Sequence, residues 1–227
     1  MSIDATDTPA GTRYGRDTVE FGRAIAFFDA VYAFAVTMLV VNIEPPGREG
    51  WSSPAALISS GVGEQFVGFV ISFVVIAVFW RVNHRLMALL SAVSPGVIAA
   101  NLVATAFVVL IPFSTQGMSD AETSDAPLAV AVYAVNISCA VLAQSAMHFV
   151  ARSQGLLSDP LPLRADLVRF LDTLVTPAVF LASIPIAYVY GTDWARSSWA
   201  VLLLLGPLSG AWATRRIARI VAVEHAD

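Results

Sequence analysis

The chain has 227 residues, 57% of them hydrophobic and only 13% charged, with a mean hydropathy of +0.71. A soluble domain of this length carries roughly a quarter charged residues, so that class is excluded. Net charge is −4 and all 13 basic residues are Arg, which leaves no basic footprint for nucleic acid. Cys139 is the only cysteine, ruling out a disulfide within the chain and a Cys-based metal site. His84, His148 and His225 lie in separate segments without ligand spacing. Neither a metal nor another cofactor is expected.

Residues 1–20 are polar and mixed in charge, with no apolar core. They read as a mobile cytoplasmic tail, not a signal peptide, and the first apolar block as an uncleaved anchor. Six apolar blocks follow, at about 21–43, 64–90, 96–115, 127–150, 167–190 and 195–213. A helix needs about 20 apolar residues to cross a hydrocarbon core roughly 30 Å thick. Backbone polar groups cannot be left bare in lipid, so each block is expected to be helical. The expectation is an all-α membrane domain of six spanning helices over 21–213, then a cytoplasmic carboxyl tail over 214–227. Pro112, Pro177, Pro185 and Pro207 fall inside blocks and mark kinks.

Arginine sets the orientation. Arg13, Arg16, Arg23, Arg81, Arg85, Arg152, Arg164, Arg169, Arg215, Arg216 and Arg219 fall on one side, against Arg48 and Arg196 on the other. Both ends are therefore expected inside. Glu44, Glu49, Glu64, Asp120, Glu122, Asp125 and Asp193 gather outside; they either attract cations or are merely solvated.

The first block carries Arg23 and Asp29 near its start. An ionisable residue in a spanning helix is costly and marks a functional site or a satisfied internal network. At 100° per residue, Ala30, Phe34, Thr37 and Val41 share one narrow stripe, and Asp29 lies about 100° round from it. Asp29 is thus expected to face a neighbouring helix. The stripe residues have plainer readings too: Phe34 and Val41 as lipid-facing or packing residues, Thr37 bonding back to its own helix.

The run Arg23…Phe27-Phe28-Asp29 resembles the RxxxFSD motif that opens the lysosomal-type potassium channel family, also called transmembrane protein 175. Other stretches agree in order: Ser72-Phe73, then Trp80, Asn83 and His84; Asn101-Leu102, then Pro112-Phe113; Tyr133 and Asn136. The likeness is specific over residues 23–136. It implies a homotetramer with six helices per subunit, helix 1 lining a central pore, in the plasma membrane of a prokaryote. It implies K⁺, with other monovalent cations, as permeant ion, and no enzymatic activity. By motif register the hydrophobic constriction falls on Phe34 and the Thr ring on Thr37, with Ala30 and Val41 on the same pore-facing stripe. Phe34 departs from the family's usual Ile or Leu, and Phe28 replaces the motif Ser. Arg23, Phe27, Asp29, Trp80, Asn83, His84 and Asn101 would form the structural motif network.

No TVGYG-like segment is present, so a filter of stacked carbonyls is not available. Preference for K⁺ would come from a partly hydrated ion passing an apolar ring beside a hydroxyl ring. Three rivals stay open. A secondary transporter would use Asp29 as its ion site, but the inverted repeats expected of one are not evident. A membrane enzyme lacks a nucleophile–base pair. The third is a non-conducting scaffold.

Overall fold

The computed structural model describes residues 12–120 and 122–224. A short strand β1 (Tyr14–Gly15) leads into helix α1 (Val19–Val41). The single turn α2 (Pro54–Leu57) runs through a π-helical turn at Ile58–Val62 into α3 (Gly63–Ala88). Gly61, with φ +83°, makes the bend there; its left-handed backbone is one that a residue with a Cβ rarely adopts. Strand β2 (Ala92–Val93) precedes α4 (Pro95–Val109) and α5 (Ile111–Ser119). Then come α6 (Pro127–Ser153), α7 (Leu163–Thr173), α8 (Val175–Tyr190), α9 (Thr192–Ser198) and α10 (Leu202–Glu224).

Among the described residues, five helical stretches are long and apolar enough to cross a membrane: Val19–Val41, Pro54–Ala88, Pro95–Ser119, Pro127–Ser153 and Leu163–Tyr190. The third bends at Leu110, beside Pro112, which has no N–H to give to the helix ladder. The fifth breaks at Leu174, between α7 and α8. The sixth expected crossing, 195–213, is built differently. It is divided among α9, a 3₁₀ turn at Trp199–Val201 and α10. Helix α10 is apolar only to Thr214 and then carries Arg215, Arg216 and Arg219.

Two large clusters make up most of the apolar interior, beside a small third of Val130, Ala187 and Ala195. Tyr32, Ala35, Leu39, Ile76, Phe79, Tyr133 and Ile137 belong to one; Phe21, Phe28, Leu86, Met87, Val97, Met147 and Leu156 belong to the other. Helix α6 contributes to both and is the most enclosed of the five stretches. Most other apolar side chains point outwards, as in helices whose solvent is lipid.

The tail expected to be mobile over 1–20 is corrected for residues 12–20; residues 1–11 lie outside the described residues. Strand β1 pairs antiparallel with β2, Tyr14 opposite Val93. Arg13 donates to the Gln154 carbonyl at 3.0 Å and Arg16 to that of Ala88 at 2.6 Å. Ser91 and Ser158 bond the backbones of Leu156 and Leu89. Arginine here satisfies carbonyls left over at helix ends. The amino segment and the loops after α3 and α6 therefore meet at one end of the bundle.

Candidate pore-lining face and polar network of the first helix

Thr18 starts α1 by accepting the Phe21 N–H at 3.3 Å, an N-cap that satisfies one of the free donors of the first turn. At the far end the Asn42 side chain donates to the Pro112 carbonyl at 3.0 Å. Between these anchors the helix has two unlike faces. Phe21, Phe28, Tyr32, Ala35 and Leu39 are buried against the rest of the chain. Ala30, Phe34, Thr37 and Val41 are all exposed, Phe34 at 59% and Val41 at 69%. The four residues expected on one stripe thus share the face that packs against nothing in their own subunit. The Thr37 hydroxyl donates to the Phe34 carbonyl at 2.8 Å, so the bond back to its own helix is made. Its proton is used there, and its remaining oxygen lone pairs accept only.

Asp29 does turn to a neighbouring helix: Trp80 Nε1 on α3 donates to its carboxylate at 2.8 Å. The Trp80 ring lies against His84, with centroids 5.4 Å apart. Asn83 reaches inwards instead and donates to Asn101 Oδ1 on α4 at 2.5 Å, while Asn101 reaches Met87 Sδ at 3.9 Å. The residues expected in one network therefore fall into two groups, Asp29–Trp80–His84 at the surface and Asn83–Asn101 inside. Arg23 is exposed and bonded to none of them. Phe27 is exposed and meets the buried Phe28 edge to face at 5.5 Å.

Three polar groupings were not foreseen. Gln144 of α6 donates from Nε2 to the Tyr32 hydroxyl and to the Phe79 carbonyl, both at 3.0 Å, tying α1 and α3 to the central helix. Ser72 and Thr115 bond across α3 and α5 at 2.6 Å. Asp166 of α7 is buried beside Arg152, with His148 Nε2 3.3 Å and Arg169 4.0 Å away. Tyr133 and Asn136, singled out in sequence, are both buried, and Asn136 reaches Ser114 at 3.5 Å.

A bundle of apolar helices, bonded inside by isolated amide and hydroxyl pairs and apolar outside, is an integral membrane protein. Residues 23–112 match the family model of the endosomal/lysosomal potassium channel TMEM175. A potassium channel of Streptomyces collinus is 29% identical over 160 residues, covering 66% of this chain and 76% of that one. A potassium channel of Chryseobacterium is 24% identical over 135 residues, 59% of this chain and 67% of the other. Among solved structures, a TMEM175 homologue from Chamaesiphon minutus superposes with a TM-score of 0.61 at 21% identity, over 88% of this chain and 99% of that chain. A variant of the channel MtTMEM175, bound to a nanobody fusion, does so at 0.59 and 16%, over 95% and 98%. Residues 23–112 of the chain are thus similar to the TMEM175 family. It is a family of channels, not of enzymes.

Proposed function

We propose that the chain is a potassium-conducting cation channel: a homotetramer of six-helix subunits in a prokaryotic plasma membrane, both ends inside. The observation that carries this reading is the bare stripe of α1. In a lone subunit Ala30, Phe34, Thr37 and Val41 have no protein partner across from them, and four copies of the helix around an axis would give them one another. Phe34 would form the constriction, an apolar ring that closes by dewetting. One turn on, four Thr37 hydroxyls with their protons held by Phe34 carbonyls would present oxygen lone pairs to a cation. K⁺ gives up part of its water more easily than Na⁺, so such a site favours it modestly. The sixth crossing would be made by α9, the 3₁₀ turn and α10 as far as Thr214. The names of the relatives, each called a potassium channel, support the same ion. Reconstitution into liposomes, with K⁺ and Na⁺ flux measured separately, tests it. Saturating K⁺ flux above Na⁺ flux is expected; no flux from well-inserted protein would overturn it.

A further inference from the structure

At the end of the bundle away from the β1–β2 contact, α3, α5, α6 and α9 line an open cavity of about 580 Å³. Sites for small organic ligands run from about 300 to 1,000 Å³, so the volume suits an organic molecule rather than a bare ion. Three hydroxyls on the wall, those of Ser72, Thr115 and Ser119, are held by bonds within the chain. Thr115 donates to the Ile111 carbonyl at 2.8 Å. Ser72 lies 2.6 Å from it, and either hydroxyl can donate to the other. Ser119 donates to the Thr115 carbonyl at 3.0 Å. Each of these three hydroxyls has an acceptor within the chain and keeps lone-pair capacity for a guest.

The charges lead to the same answer. Arg196, the one cation on the wall among the described residues, is already consumed by the carbonyls of Met118 and Ser124 at 3.2 and 3.1 Å and by Asp193 at 3.0 Å. Glu64 and Asp125 are exposed at the mouth and bonded to nothing among the described residues. Tyr133 and Trp199, stacked with centroids 5.2 Å apart, add aromatic surface, which also favours cations.

We infer that this cavity binds a primary ammonium group carried on a small hydrocarbon body, with the ammonium on the Ser72–Thr115 oxygens and the carboxylates drawing it in. The inference stands apart from the conduction path and does not depend on it. Two sources offer that chemistry: a free amine in solution, or the ethanolamine headgroup of a lipid.

The test uses the purified full chain in nanodiscs of phosphatidylcholine, titrated calorimetrically with benzylammonium chloride and, in parallel, with benzyl alcohol. Benzylammonium is expected to bind one per chain and the neutral alcohol not to bind. Glu64→Gln with Asp125→Asn, both exposed and safe for folding, should weaken binding about fivefold, which is about 1 kcal/mol for the two exposed charges together. Ser72→Ala should weaken it further. Nanodiscs containing phosphatidylethanolamine separate the sources: weaker benzylammonium binding there identifies the headgroup as occupant, unchanged binding a free amine. Equal binding of the alcohol, indifference to the double variant, or binding abolished by Thr37→Ala but kept in Ser72→Ala would overturn the inference.

Discussion

The two faces of helix α1 are alike in composition and unlike in what they meet. One presents Phe28, Tyr32, Ala35 and Leu39 to the subunit core, and Tyr32 is tied by Gln144 to the central helix. The other presents Ala30, Phe34, Thr37 and Val41, with no protein opposite. Hydrophobicity does not separate them, since both are apolar, as is usual for a spanning helix. What separates them is that one face has spent its contacts inside the subunit and the other has kept them. A face so left is covered by lipid or by further copies of the chain.

Substitutions on the two faces should break differently. Tyr32→Ala should do most harm, about 3–5 kcal/mol for a buried aromatic, with a large fall in the melting temperature of the solubilised protein. Asp29→Ala comes next. It leaves the Trp80 N–H without its partner, a cost of about 1–3 kcal/mol, and should lower stability or yield. A well-assembled Asp29→Ala protein that has lost only flux would move Asp29 from support to permeation. Phe34→Ala should leave the fold of the subunit within about 0.5 kcal/mol of the parent. In flux assays it should raise cation current and weaken the preference for K⁺. Thr37→Ala should change least: a melting temperature near that of the parent, current retained, and selectivity between K⁺ and Na⁺ reduced.

The sequence made the stripe legible, because helical periodicity alone puts residues 30, 34, 37 and 41 together. It also made Asp29 legible as facing a neighbour, since a carboxylate in lipid needs a donor, and Trp80 supplies one. Element boundaries were legible to within a turn for most blocks. What stayed hidden depends on distance along the chain. Gln144 lies 112 residues from Tyr32, and nothing local to either residue announces the other. Asp166 stands just before an apolar block and reads as a solvated loop residue; only folding of α7 onto α6 buries it beside Arg152. The segment 12–18 looked free because two-residue strands leave no periodicity to read. The division of the last block among α9, a 3₁₀ turn and α10 was also hidden. Arg196 is engaged with the ends of α5 and the loop before α6, and the arginines after Thr214 cut the apolar part of α10 short.

The central claim is that the bare stripe faces water in a conduction path and not lipid. Thr37→Cys, made in a chain whose only other cysteine, Cys139, is replaced by Ala, tests it with a membrane-impermeant, positively charged thiol reagent during K⁺ flux. Water-filled surroundings ionise the thiol and admit the reagent; lipid does neither. The account predicts that Thr37→Cys reacts and loses its flux, while Leu39→Cys on the packed face does not react and keeps it. If Thr37→Cys stays unmodified with flux intact, the stripe lies against lipid and another face lines the pore.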